Sequence, residues 1–385
     1  MNKKTVLLLL VVLAVLAGVG RSILDDRSSN VPVGTDVMGT LIFKELPANE
    51  ITSILIERPG DSVMLVKDKT GWIVQNRFGY PADFSKITDL IRKLKQTKVG
   101  RKFPASESVL KRLSLMPPTD TPTDNVAAEE DKATRIRMKD KGETVVADIL
   151  LGSTRKREEK GVPDSQFVML AEGADIYLVD QIFSSFETSA PSWLKKSPIK
   201  VTVEDIQKIT CVGPDGTLRY TFARPEKGKA FVPVGSPTQG KIKDSALNRL
   251  AGALNGLEIE DVADPSNPPE SLSTGISPRL DYTFFNGVTY HVFTGITCSP
   301  GIPCYLRLQV DYDVPSAQKA AEAPKTAPEK KETTTGENQG AWVVKAKELD
   351  GRLSPWVFIV PEWQHQAFFI ALDEILGKKN DVPAK

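Results

Sequence analysis

Histidine is almost absent from this sequence: His291 and His365 are the only two in 385 residues, accompanied by just three cysteines. No CxxC pair occurs, so a zinc framework has no sequence support. Neither sign of charge prevails, since 50 Lys and Arg stand against 49 Asp and Glu for a net charge of +1. Without a basic excess there is nothing to hold a polyphosphate chain, and nucleic acid is not an expected partner. Also missing are GxSxG, HExxH, GxxxxGK[ST] and GxGxxG, the spacings that build a nucleophile elbow, a zinc protease site or a nucleotide cradle. No catalytic residue, metal ligand or cofactor is therefore nominated. His291 sits in the alternating run VTYHVF and reads as a strand side chain. His365 has Glu362 three residues before it, but no further ligands lie near enough in sequence to complete a metal site.

What the chain does have begins at its N-terminus. After Lys3 and Lys4, residues 5–20 (TVLLLLVVLAVLAGVG) carry no charge, and Ser22, Ile23 and Leu24 extend the run beyond Arg21. The stretch approaches the ~20 apolar residues needed to cross a bilayer. The two lysines belong on the cytoplasmic side, which exports everything after Leu24. Residues 1–24 are expected to be a cytoplasmic stub and transmembrane anchor. A cleaved signal peptide, with Gly18 and Gly20 at its cleavage site, is the alternative. Residues 25–40 are polar and rich in turn formers, and read as a tether.

Three strand signals follow, Ile51–Glu57, Ser62–Lys67 and Gly71–Gln75, punctuated by Pro59-Gly60 and Asp68-Lys69-Thr70. Pro81 and Asp83 then mark a helix start, and Phe84, Ile87, Leu90, Ile91 and Leu94 form one apolar stripe. Two hairpins, turning at Lys141-Gly142 and Glu172-Gly173, and a short helix within 181–194 complete this part. The order then recurs. IQKITCVGPDGTLRYTFARPEKGKAFVPV answers the first three strands, and Leu247, Leu250, Leu254 and Ile259 stand 160 positions after Ile87, Leu90, Leu94 and Val99. Asn286-Gly287 marks a hairpin turn matching Lys141-Gly142, and SPWVFIVPEWQHQAFFIALDEIL gives a closing strand and helix. The expected fold is α+β, a tandem duplication of a strand-strand-strand-helix unit plus hairpins. Its modules would span 41–197 and 198–377, with a tail at 378–385. Residues 315–340, poor in apolar side chains and rich in Ala, Pro, Lys, Glu and Thr, read as a disordered insertion.

Cys298 and Cys304 flank a Pro-Gly turn ahead of a strand, where an exported domain could bridge them as a local staple. Cys211, inside KITCV, reads as a buried small side chain. The basic runs KLKQTKVGRKF and STRKREEKG read as a solvated helix face and a charged loop.

Gly71-Trp72, Pro81-Ala82-Asp83, Leu151-Gly152 and Ile176-Tyr177-Leu178-Val179, following a short N-terminal span, resemble the pattern of a bacterial membrane-anchored family catalogued as a domain of unknown function. Members are often encoded beside gliding-type ABC-transporter components. In the second half Phe231 stands where the tryptophan would be, and Pro-Ala-Asp is absent. The resemblance implies a single-pass protein of the inner membrane with a periplasmic ectodomain. It further implies permease or auxiliary subunits as partners, and it carries no catalytic residues. The expected function is a non-catalytic accessory or scaffold that binds protein, peptide or glycan. The alternative is an exported envelope hydrolase whose site is assembled only by folding.

Overall fold

The computed structural model describes residues 37–118, 130–156, 163–235, 242–269, 272, 278–295, 298, 301–313, 334–370 and 372–377. The expected anchor at 1–24, residues 25–36 of the tether, 315–333 of the expected insertion and the tail at 378–385 lie outside them. Among the described residues no helix is long and apolar enough to cross a membrane.

The fold is mixed α and β, built on two large antiparallel sheets. Contacts divide the chain into two compact units, one running to Trp72 and resuming over 84–192, the other comprising 73–83 and the chain from Trp193. Residues 73–83, which lie inside the expected first module of 41–197, group with the second unit. The cause is backbone pairing. Lys195 donates its N–H to Pro81 O at 3.0 Å and Asp83 donates to Trp193 O at 2.7 Å. Arg77 adds an ion pair to Asp261 at 2.7 Å.

The first unit opens with β1 (Ile51–Arg58) and β2 (Asp61–Lys67); the short hairpin β3 (Trp72–Val74) and β4 (Tyr80–Pro81) comes next in the chain and, from Ile73, belongs to the second unit. They are followed by α1 (Phe84–Gln96), β5 (Val99–Pro104), α2 (Glu107–Arg112), β6 (Thr134–Asp140), β7 (Val145–Lys156), β8 (Pro163–Leu170) and β9 (Asp175–Val179). Seven of these strands run in the order β2-β1-β6-β7-β8-β9-β5. Alternation puts Ile54 and Ile56 on the same face as their cross-strand partners Leu65, Val63, Met138 and Ile136, all buried. The α1 stripe buries Ile87, Leu90 and Leu94. Toward β7 the other face is covered too, by a cluster of Leu115, Ala133, Leu150 and Ile176 with Val109 and Leu110 of α2. The basic run expected to stay helical divides: α1 ends at Gln96, and Val99–Pro104 pairs with β9 as an edge strand. The closing helix expected within 181–194 is reduced to one 3-10 turn, Ala190–Trp193.

The second unit holds β10 (Ile206–Val212), β11 (Leu218–Ala223), β12 (Val232–Pro233), α3 (Asp244–Asn255), β13 (Asp261–Ala263), β14 (Arg279–Phe284), β15 (Val288–Thr294) and β16 (Cys304–Tyr312). It ends with α4 (Thr334–Leu353), β17 (Val357–Val360), α5 (Glu362–Phe368) and α6 (Leu372–Ile375). The sheet order is β12-β11-β10-β14-β15-β16-β17-β13. Tyr282, fully buried, donates its hydroxyl to Leu250 O at 2.8 Å and ties the sheet to α3. Helix α4 covers 334–340, where disorder was expected. Its downstream half carries the reason, since Ala346 and Leu353 are buried at helical spacing. Asp350 also accepts the Val310 N–H of β16 at 2.9 Å. A turn nucleated by packing propagates upstream at little cost per residue.

Strand for strand, β2-β1-β6-β7-β8-β9-β5 corresponds in connectivity to β11-β10-β14-β15-β16-β17-β13. The register also slips at matching places, between Ile51 and Ser53 where β1 meets β6, and between Ile206 and Lys208 where β10 meets β14.

Candidate functional site

The second unit contains a cleft of about 500 Å³ built from three parts. One wall is the irregular segment 195–202. Its entry is fixed by Lys195, whose N–H reaches Pro81 O and whose carbonyl accepts the Tyr80 hydroxyl at 3.2 Å. Tyr80 is itself held edge-on by Trp356, with ring centres 5.0 Å apart, and by Phe358. The floor is Phe284, Asn286, Val288 and Tyr290 from the β14–β15 hairpin. The third part is α4, where Trp342, Lys345, Leu349 and Arg352 recur at helical spacing and so share one face.

Four cations line this cleft: Lys195, Lys200, Lys345 and Arg352. Two carboxylates are present, but Asp205 is already paired with Lys227 at 2.5 Å, which leaves Glu348 alone against them. Among the described residues none of the four cations has a side-chain hydrogen bond or ion-pair partner. The consequence is visible at Lys195. Burial first, then the positive charges of Arg352 and Lys200, push its ammonium below the usual lysine range. Burial raises the Tyr290 phenol and Arg352 opposes that rise. Arg352 acts in the same sense on Tyr80. Four cations opposed by one free carboxylate give the cleft a net positive field, which attracts anions.

The residues singled out in the sequence lie elsewhere and do structural work. Gly71 has φ +128° and closes an Asp68 turn, in which Asp68 Oδ1 accepts the N–H groups of Thr70 and Gly71. Trp72 is buried, Pro81 faces Ile73 across β3–β4, and Ala82 bridges to Leu194. Leu151 and Ile149 face the core, whereas Tyr177 stands in β9 opposite Lys102 and Val168. Gln166 spans a gap beside Gly152, donating to Gly152 O and accepting from Phe183 N–H, both at 2.8 Å. Cys298 and Cys304 are joined by a disulfide with Cα atoms 4.8 Å apart, and Cys211 is free.

Neither histidine forms a site of the kind weighed from sequence. His291 is tied through both ring nitrogens to carboxylates, Asp281 at 2.5 Å and Asp311 at 3.2 Å. His365 is buried with Nε2 against Gly295 O at 2.9 Å, while Glu362 accepts from Gln366 and stays away from it. Among the described residues no group of three His, Cys, Asp or Glu side chains is placed to hold a metal ion. Sequence reasoning missed the cleft because its cations come from stretches far apart, two of them on a helix it did not expect. The spacing of Trp342, Lys345, Leu349 and Arg352 was the available signal.

No curated protein matches the chain significantly. Nor does any solved structure. A family model described as a domain of unknown function, DUF4340, does match, over residues 72–273. That stretch contains Lys195 and Lys200 and ends before α4. Because the match covers more than half of its length, the chain belongs to the DUF4340 family.

Proposed function

We propose that this protein is a non-catalytic, membrane-anchored component of the cell envelope, working as an accessory or scaffold subunit of an ABC-transporter assembly. Its N-terminal apolar run supplies the anchor, and the ectodomain lies in the periplasm. The basic cleft of the second unit is its ligand-binding surface. One observation carries the binding reading: four cations converge on a concave surface with a single unpaired carboxylate among them. Charges left without partners favour an incoming anion over a resting state. The transporter assignment draws on the pattern shared with a family often encoded beside such components.

The two units are, on this reading, copies of one α+β module. The matching order of seven strands and the matching register slips support it. Only the second copy has added α4, and with it half of the cleft's cations. Binding would then be a property acquired by one copy.

The test is crosslinking of the full-length protein in its membrane, followed by identification of its neighbours. Permease or auxiliary subunits should be enriched, and less so from a Lys345→Glu, Arg352→Glu variant. Neighbours that never include transporter subunits would overturn the assignment.

A further inference from the structure

We infer that the cleft receives an acidic peptide segment in extended conformation, laid along Ser197–Val201 of its wall. This rests on the reading of the cleft as a binding surface and adds the chemical class of what it binds. Charge gives the first half of the argument. Lys195 and Lys200 of the irregular segment line the same cleft as Lys345 and Arg352 of the helix, so carboxylates on a segment laid in it meet cations from both elements.

Backbone chemistry gives the second half. The residues flanking the wall segment use their main-chain groups: Lys195 N–H and C=O, Lys196 C=O to Ile259 N–H, and Thr202 C=O to Asp205 N–H. Between them, the N–H groups of Ser197, Ile199, Lys200 and Val201 and the carbonyls of all five residues meet no main-chain partner among the described residues. Pro198 and Ile199 are nonetheless buried, which holds the segment in place. A fixed stretch of chain with open donors and acceptors, beside a concave surface, offers main-chain groups of the kind that strand addition uses at a sheet edge. An extended guest rises roughly 3.3 Å per residue, so five of its residues would be about 17 Å long. Successive side chains of the guest would alternate between the charged rim and the floor, where Phe284, Val288 and Tyr290 offer apolar contact. An anionic glycan could use the charges and the Trp342 ring but would leave the main-chain groups of 197–201 unpaired. The peptide reading uses both sets.

The experiment uses the full-length protein in detergent and a fluorescent, capped peptide of alternating glutamate and valine, about eight residues long. Three comparison probes are needed: the same peptide with lysine for glutamate, the same peptide N-methylated at alternate amides, and a uronic-acid oligosaccharide. The acidic peptide should bind and the basic one should not. N-methylation should weaken binding about tenfold or more, because it removes main-chain donors while keeping the charge. Lys200→Glu with Lys345→Glu should weaken it by a similar factor; both side chains are exposed, so the fold should survive, checked by an unchanged thermal transition. Equal binding of the N-methylated peptide, tighter binding of the oligosaccharide, or no peptide binding would each overturn the inference. Peptide binding by a protein that never crosslinks to transporter subunits would sink the transporter assignment and leave this inference standing.

Discussion

Gly152 lies beneath Leu113 so closely that a Cβ on Gly152 would stand 2.3 Å from the Leu113 carbonyl oxygen. The contact is productive as it is, for the neighbouring Ser153 N–H donates to that same oxygen at 2.8 Å. Glycine is needed here for space. The Leu-Gly pair that marks the family pattern in this sequence is thus a packing requirement where β7 passes the end of α2.

Gly152→Ala should therefore destabilise the protein. The methyl would also meet Leu115 Cγ at 2.7 Å, and Leu115 belongs to a buried cluster. Overpacking of this kind costs about 1–3 kcal/mol. Chemical denaturation read by fluorescence should show a lower midpoint with an unchanged slope. A midpoint equal to wild type would mean that the β7 backbone can shift away from Leu113.

The strands, their turns and α1 were readable because each follows from a local rule. Ile54, Leu55 and Ile56 form a short run rich in strand-forming side chains, Pro59-Gly60 breaks it, and Ile87, Leu90 and Leu94 repeat at helical spacing. The edge strands β5 and β13 were not readable. VGRKFP and DVA have no apolar alternation, and only hydrogen bonding to β9 and β17 makes them strands. Helix α4 was hidden for another reason: judged as one window, 315–340 is low in apolar residues, whereas Ala346 and Leu353 lie downstream of it. The cleft inherits both difficulties. Lys195 and Lys200 sit on an irregular segment, Lys345 and Arg352 on the unforeseen helix, and only tertiary structure puts them together.

The Cys298–Cys304 bridge closes a loop of only a few residues. On a chain-entropy account such a loop contributes about 2 kcal/mol, because little freedom is removed from the unfolded chain. Cys304 opens β16 opposite Val360, so the bridge secures the start of a central strand. Cys298→Ser should lower the unfolding free energy by about that amount while leaving circular dichroism unchanged. Loss of the folded spectrum would show that the bridge is required for folding.

His365 predicts a response to acid. It is 3% exposed, and burial lowers its pKa below the ordinary 6.5, with the Gly295 carbonyl opposing that shift. In the unfolded chain the imidazole takes up its proton near 6.5; in the folded protein it does so only at lower pH. Between these values the unfolded state binds more protons, so stability falls as pH drops below 6.5. A glutamine at this position keeps an N–H for Gly295 and cannot titrate. Denaturation midpoints at pH ~7 and ~5 should differ more for the wild type than for His365→Gln. Equal differences would assign the acid response to other groups.

Lys195 sets stability against binding. Its folded pKa lies below the ordinary 10.5, through burial and then the charges of Arg352 and Lys200. Holding that proton at neutral pH is therefore unfavourable to the fold. The penalty fades as pH rises through the folded value toward 10.5, where the unfolded chain keeps its proton longer. An anion in the cleft reverses the preference, because it stabilises the charged ammonium. Lys195→Met should accordingly raise the thermal midpoint at neutral pH while weakening the acidic peptide's affinity. Wild-type affinity should also decline with rising pH before that of the variant does. A variant that loses stability and affinity together would show Lys195 to be a packing residue, with no part in an unbalanced field.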